Sequence, residues 1–164
     1  MEELTAGEIW RARELLEEQA ATLLGKVLFE FGRLEMALDL CLVWVGAGRK
    51  MDQFTDEVLK LSFKEKLDRL RNAVDNSQPV GSLGHSAYLK WTGETDSIRL
   101  LRNEFVHSRW AADGARGKIV NVLGIPTSAQ QREVLYEVAD LEKLLEDMKR
   151  LQDQLLQLRK NWPL

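Results

Sequence analysis

Arg102-Asn103-Glu104-Phe105-Val106-His107 is the segment of this 164-residue chain whose residue types and spacing could do chemistry. Histidine titrates near pH 6.5, so it can give or take a proton at neutral pH. Arginine stays charged, and its planar fork can hold two phosphate oxygens at once. Asparagine can donate a hydrogen bond to an anion or hold a ligand in register. Other enzyme classes lack their motifs: there is no G-x-x-x-x-G-K-[ST], no G-x-G-x-x-G and no G-x-S-x-G. With two histidines and one cysteine, a zinc site of His/Cys type would be short of ligands. Neither a metal nor another cofactor is therefore expected. Gly81-Ser82-Leu83-Gly84-His85 resembles a phosphate loop only superficially and reads as a flexible connector.

The segment lies on a helix expected at residues 88–108. At about 100° per residue, Ile98, Leu101 and Phe105 fall within an arc of about 60° and form a core stripe. Asp96, Asn103 and His107 fall within an arc of about 40°, centred nearly opposite. Arg102 lies between the two faces, and Arg99 flanks the polar cluster. His107 thus points away from the core of its own protomer. Plainer readings stand beside a functional one. A histidine in the last turn of a helix interacts well with the helix dipole, and Arg and Asp on a helix commonly form a solvated face.

The spacing Arg-Asn-x-x-x-His is uncommon. With 13 Arg, 5 Asn and 2 His in the chain, roughly 0.005 accidental matches are expected, so chance is a poor explanation. Arg71-Asn72 repeats the dipeptide, but Asn76 stands where a histidine would be needed. The motif resembles the signature of the HEPN superfamily, named for higher eukaryotes and prokaryotes nucleotide-binding domains. That signature is Arg, four to six intervening residues, then His, commonly with Asn, Asp or His following the Arg. The flanks are similar to small bacterial members in order and spacing. They are Phe31-Gly32-Arg33-Leu34-Glu35 before an apolar helix, then Phe63-Lys64-Glu65-Lys66-Leu67, then Leu101 through Trp110. The likeness covers residues 26–158.

The resemblance implies a helical bundle that dimerises so that two copies of the motif face each other. It implies metal-independent cleavage of an RNA substrate, as in a toxin or a stress or defence ribonuclease. Arg102, Asn103 and His107 would be the site residues, with Asp96, Glu35 and Arg99 as supporting candidates. It admits a separate antitoxin or nucleotidyltransferase partner. Some relatives carry, two residues after the histidine, a tyrosine that the nucleotidyltransferase modifies; Arg109 stands there in this chain, so that chemistry is not carried over. The alternative is a noncatalytic nucleotide-binding or protein-interaction module.

The elements that must position these residues are helical. Length suits one compact domain, 1–164, able to fold without disulfide or metal. The expected fold is an all-α, four- to five-helix up-and-down bundle, with room for a small β-hairpin after the fourth helix. A first helix is expected at residues 5–24, with Gly25 either a bend or an interior position. A second, at 26–45, ends at Gly46-Ala47-Gly48. It carries an inner stripe of Val27, Phe31, Leu34, Leu38, Leu42 and Val45, and a second apolar face of Met36, Leu40, Val43 and Trp44. A helical turn at 55–60 precedes a third helix capped by Ser62 in a capping box with Glu65. Residues 75–86 read as a loop and 109–123 as a hairpin. A last helix is expected from Pro126-Thr127-Ser128 to residue 160, with Val134, Leu141, Met148 and Leu155 seven apart.

Net charge is −3, with a pI of about 5.5. A protein that coats nucleic acid through a broad surface would be far more basic, so any RNA contact must be local. The lone Cys41 in an apolar run reads as a buried hydrophobe in a reducing, cytoplasmic setting. The acidic start, Met1-Glu2-Glu3-Leu4, does not read as a signal peptide, and residues 36–48 are too short to span a bilayer, so no membrane is expected.

Overall fold

The computed structural model describes residues 5–164; Met1-Glu2-Glu3-Leu4, read above as no signal peptide, lie outside the described residues. Five helices and one small sheet follow in order: α1 (Ala6–Val43), α2 (Met51–Val58), α3 (Phe63–Ser77), α4 (Leu83–His107), β1 (Arg109–Asp113), β2 (Lys118–Leu123), β3 (Arg132–Tyr136) and α5 (Val138–Asn161). The first two expected helices are one. A single interior glycine costs a helix only about 1 kcal/mol relative to alanine, and the flanking Leu23 and Val27 are both buried on one stripe. Gly25 is therefore an interior position of α1. The helix stops where expected, with Gly46, Ala47 and Gly48 all at positive φ. No helix among the described residues is long and apolar enough to cross a membrane.

The chain divides into two compact units. One comprises Met1–Phe29 and Leu101–Glu146; the other comprises Glu30–Leu100 and Asp147–Leu164.

In the first unit, Leu16, Ala20, Leu23 and Val27 of α1 are buried, as are Phe105 of α4, Ala112 and Ile119 of the sheet, and Leu141, Leu144 and Leu145 of α5. The sheet is an antiparallel meander in the order β1-β2-β3. Trp110 pairs with Asn121, and Asn121 with Val134. The expected hairpin is thus present as β1 and β2, but a third strand extends it. Residues 132–136 are not helix, and the last helix begins at Val138 rather than after Pro126-Thr127-Ser128. The heptad at Val134 was misleading: β3 bonds to β2 along its length, and Tyr136 joins an aromatic cluster. Phe105 meets Trp110 edge-on at 4.8 Å between centroids and Tyr136 at 5.5 Å. Each such pair adds about 0.5–1.5 kcal/mol beyond area burial. The β1–β2 connection is tightened by Asp113, whose Oδ1 accepts from the backbone amides of Ala115 and Arg116 at 3.1 and 3.0 Å.

In the second unit the inner stripe of α1 is buried at Phe31, Leu34, Leu38 and Leu42, and that of α3 at Phe63, Leu67, Leu70 and Val74. The rings of Phe31 and Phe63 pack tilted by 32°, with centroids 4.8 Å apart. The capping box of α3 is formed as read: Ser62 N donates to Glu65 Oε2 at 2.7 Å, and Glu65 N to Ser62 Oγ at 3.3 Å. α4 is pinned through buried aromatics whose polar tips are satisfied. Tyr88 Oη donates to the Trp162 carbonyl at 3.0 Å, and Trp91 Nε1 to the Leu151 carbonyl at 2.8 Å.

The connection between α3 and α4 is shorter than the loop expected at 75–86, since α3 reaches Ser77 and α4 begins at Leu83, five residues before the expected start at Tyr88. Ser82 makes this possible. Its Oγ accepts from the His85 amide at 3.2 Å and caps the helix. His85 is no phosphate-loop residue. It is buried, its Nε2 lies 2.9 Å from Asp75 Oδ1, and its Nδ1 accepts from the Gly81 amide at 3.5 Å.

Candidate functional site

The motif occupies the last two turns of α4, in the first unit. Phe105 is its anchor. The ring is buried in the aromatic cluster, and its carbonyl accepts from Trp110 Nε1 at 3.0 Å and from Ser108 Oγ at 3.2 Å. With Phe105 facing inward, helical geometry turns Asn103 and His107, one turn apart, to another face. Arg102 and Asn103 are half-buried and His107 is exposed. Arg102 Nη1 donates to Asn103 Oδ1 at 3.2 Å. That bond leaves the Asn103 amide NH2 as the group with donors to offer. His107 makes no hydrogen bond or ion pair among the described residues.

Further charge borders the motif within the same unit. Glu104 bonds Arg132 of β3 at 2.9 Å. Arg109 Nη2 donates to the Gly124 carbonyl at 3.0 Å. Burial raises the Tyr136 phenol above its ordinary pKa, with Glu104 adding and Arg132 opposing, so it stays neutral. Reading residues 126–160 as one helix hid Arg132 and Tyr136 from the sequence analysis. The strand-like run Arg132-Glu133-Val134-Leu135-Tyr136 was the available signal.

The supporting candidates lie in the second unit. Arg99 Nε donates to Asp96 Oδ1 at 2.8 Å, an i,i+3 pair on α4 in which each neutralises the other. Glu35 is engaged by Lys66: the Lys66 ammonium lies 2.7 Å from Glu35 and 2.8 Å from Asp39. Lys66 is buried, so this triad ties α3 to α1 by charge. Burial alone would lower the Lys66 pKa, but the hydrogen bonds its ammonium donates to Asp39 and Glu35 outweigh it and the net shift is upward. Asp39 is shifted up, chiefly by desolvation, with Lys66 opposing. Sequence reasoning missed Lys66, though it sits one turn after Phe63 and one before Leu70, at a position the inner stripe would fill with an apolar residue.

Among the described residues there is no group of three His, Cys, Asp or Glu side chains placed to hold a metal ion. Comparison of the chain with family models, with curated proteins and with solved structures finds no match.

Proposed function

We propose that this chain is an endoribonuclease of HEPN type that cleaves RNA by attack of the 2′-OH on the neighbouring phosphorus. The observation that carries this reading is the arrangement at the end of α4. A hydrogen-bonded Arg102-Asn103 pair precedes, by one turn of the same helix, an exposed His107. RNA brings its own nucleophile, so the reaction needs no serine, cysteine or metal-bound water. It needs a base for the 2′-OH proton, an acid for the departing 5′-oxygen and positive charge on the phosphate. His107 serves as the acid–base residue, Arg102 holds the phosphate oxygens, and Asn103 donates through its free NH2. The 2′-oxygen bonds to phosphorus as the bond to the 5′-oxygen breaks, leaving a 2′,3′-cyclic phosphate and a 5′-OH.

One motif supplies one histidine, whereas two facing motifs supply both proton roles. The reading therefore takes the protein as a homodimer with α4 near the two-fold axis. Exposed Met36 and Leu40 on α1 give apolar surface for such an interface. The helices are read as an up-and-down bundle, the setting as cytoplasmic, and the partners as RNA with a separate antitoxin or nucleotidyltransferase.

A second reading, a noncatalytic nucleotide-binding or protein-interaction module, is favoured by a specific feature. His107 has no hydrogen-bond partner among the described residues to fix its tautomer, as an acid–base histidine commonly has. Incubation of the purified protein with mixed RNA, with and without chelator, separates the two. New cyclic-phosphate ends in both arms support the ribonuclease; RNA binding without new ends supports the module.

A further inference from the structure

A cavity of about 460 Å³ lies wholly in the second unit, lined by Cys41, Trp44, Val45, Leu156, Arg159 and Lys160 among others. That volume is in the range of small-molecule sites. Its wall is mostly apolar, and two of the large side chains on it, Trp44 and Leu156, are each more than half exposed. The Trp44 ring lies close over Gly48, 3.3 Å from where a Cβ there would be. No Asp or Glu side chain lines the cavity; Leu164 does, and its carbonyl oxygen accepts from the Gly46 amide at 2.9 Å. Arg159 and Lys160 make no ion pair among the described residues, although most of the well-placed cations elsewhere in the unit do.

We infer that this cavity binds an amphipathic monocarboxylate of the fatty-acid class, with its alkyl chain along Trp44, Val45 and Leu156 and its carboxylate on Arg159 and Lys160. The charge pattern selects the ligand. An apolar cavity that carries two cations without an ion pair, and no Asp or Glu side chain, rewards an anion with a hydrophobic body and penalises a cation. A nucleotide fits the wall less well. Its base edge and ribose hydroxyls would meet Gln157 as the one amide side chain on the lining, and would otherwise lose their water uncompensated. Cys41 plays no covalent part: burial pushes its thiol pKa up to about 11, Arg159 opposing only in part. A thiol so protonated is a poor nucleophile.

The test is calorimetric titration of the intact protein with decanoate, decanol and decyltrimethylammonium, each below its aggregation concentration. Decanoate should bind saturably at one molecule per chain, decanol more weakly, and the cation not at all. From hexanoate to decanoate each added methylene should tighten binding about fourfold until the cavity is full. Arg159→Gln should weaken decanoate about ten- to hundredfold with little change for decanol. Leu156→Trp, at an exposed position, should fill the mouth and remove binding while helix content holds. Arg159→Gln keeps the question decidable if the Leu156→Trp chain misfolds. Equal binding of all three probes, or decanoate binding untouched by both substitutions, overturns the inference. So does a second copy of the chain covering the mouth, seen as a dimer that binds no decanoate and that Leu156→Trp breaks apart.

Discussion

At the scale of single residues, His107 offers a clean separation of chemistry from folding. It is exposed and makes no hydrogen bond or ion pair among the described residues, so His107→Ala removes an imidazole and little else. Thermal stability should stay within about 0.5 kcal/mol of the parent. If proton transfer is its task, RNA cleavage should fall by about two to four orders of magnitude. Undiminished cleavage by the folded variant would sink the ribonuclease reading. Lys66 is the opposite case, a structural charge whose behaviour depends on pH. Its folded pKa is raised above the ordinary 10.5, so its ion pairs stabilise the fold fully below that pH. The contribution is lost as pH climbs through the folded pKa. Lys66→Met should cost about 1–3 kcal/mol at neutral pH, less than for a fully dry pair because Glu35 and Asp39 both keep some access to water. Denaturant melts from pH 8 to 12 should show an alkaline loss of stability in the parent that is blunted in the variant. An identical alkaline profile in both chains would show that Lys66 is not the group responsible.

Elements were legible from the sequence where one local signal decided them, and misread where two periods competed. Ser62 and Glu65 announced α3 because a capping box satisfies backbone donors that must be satisfied somehow. Of the core stripe expected on α4, Phe105 is buried but Ile98 and Leu101 are only half-buried, so the face that carries Asn103 and His107 was legible from Phe105 alone. β3 was misread because Val134 sits seven residues before Leu141, and nothing local records that Tyr136 will find Phe105 and Trp110. The start of α4 was misread because two glycines and a serine look like a loop until Ser82 is seen to cap the helix. At the candidate site the motif was legible, but Glu35 pairing with Lys66 was not, since the contact spans 31 residues of chain. Close packing between elements can be tested directly. A Cβ on Gly114 would sit 2.2 Å from the Ile9 carbonyl oxygen and 2.7 Å from Arg13 N, both backbone atoms of α1. Gly114→Ala should therefore destabilise the first unit by about 1–3 kcal/mol. A Cβ on Gly93, inside α4, meets nothing within 4 Å, so Gly93→Ala should stabilise by up to about 1 kcal/mol through helix propensity. Thermal melts of the two variants that moved in the same direction would contradict this packing.

At the scale of the whole molecule the ribonuclease reading rests on two copies acting together, and that has a quantitative signature. A net charge of −3 offers RNA little overall electrostatic attraction, so on this reading affinity comes from a few local contacts. Facing motifs would bring two copies of Arg102, Asn103 and His107 to one phosphate, doubling both the local cations and the proton-transfer groups. If each site needs a histidine from both protomers, a dimer containing one His107→Ala chain is dead. Suppose parent and variant chains are mixed in equal amounts and allowed to exchange. Only dimers of two parent chains then remain active, about a quarter of the total, and activity falls to about a quarter of that from the same amount of all-parent protein. If each protomer acts alone, about half remains. The measurement needs free exchange of subunits, which is checked by labelling the two chains with different fluorophores. Retention of half the activity after complete exchange would leave a ribonuclease but remove the shared site, and with it the chemical reason for the dimer.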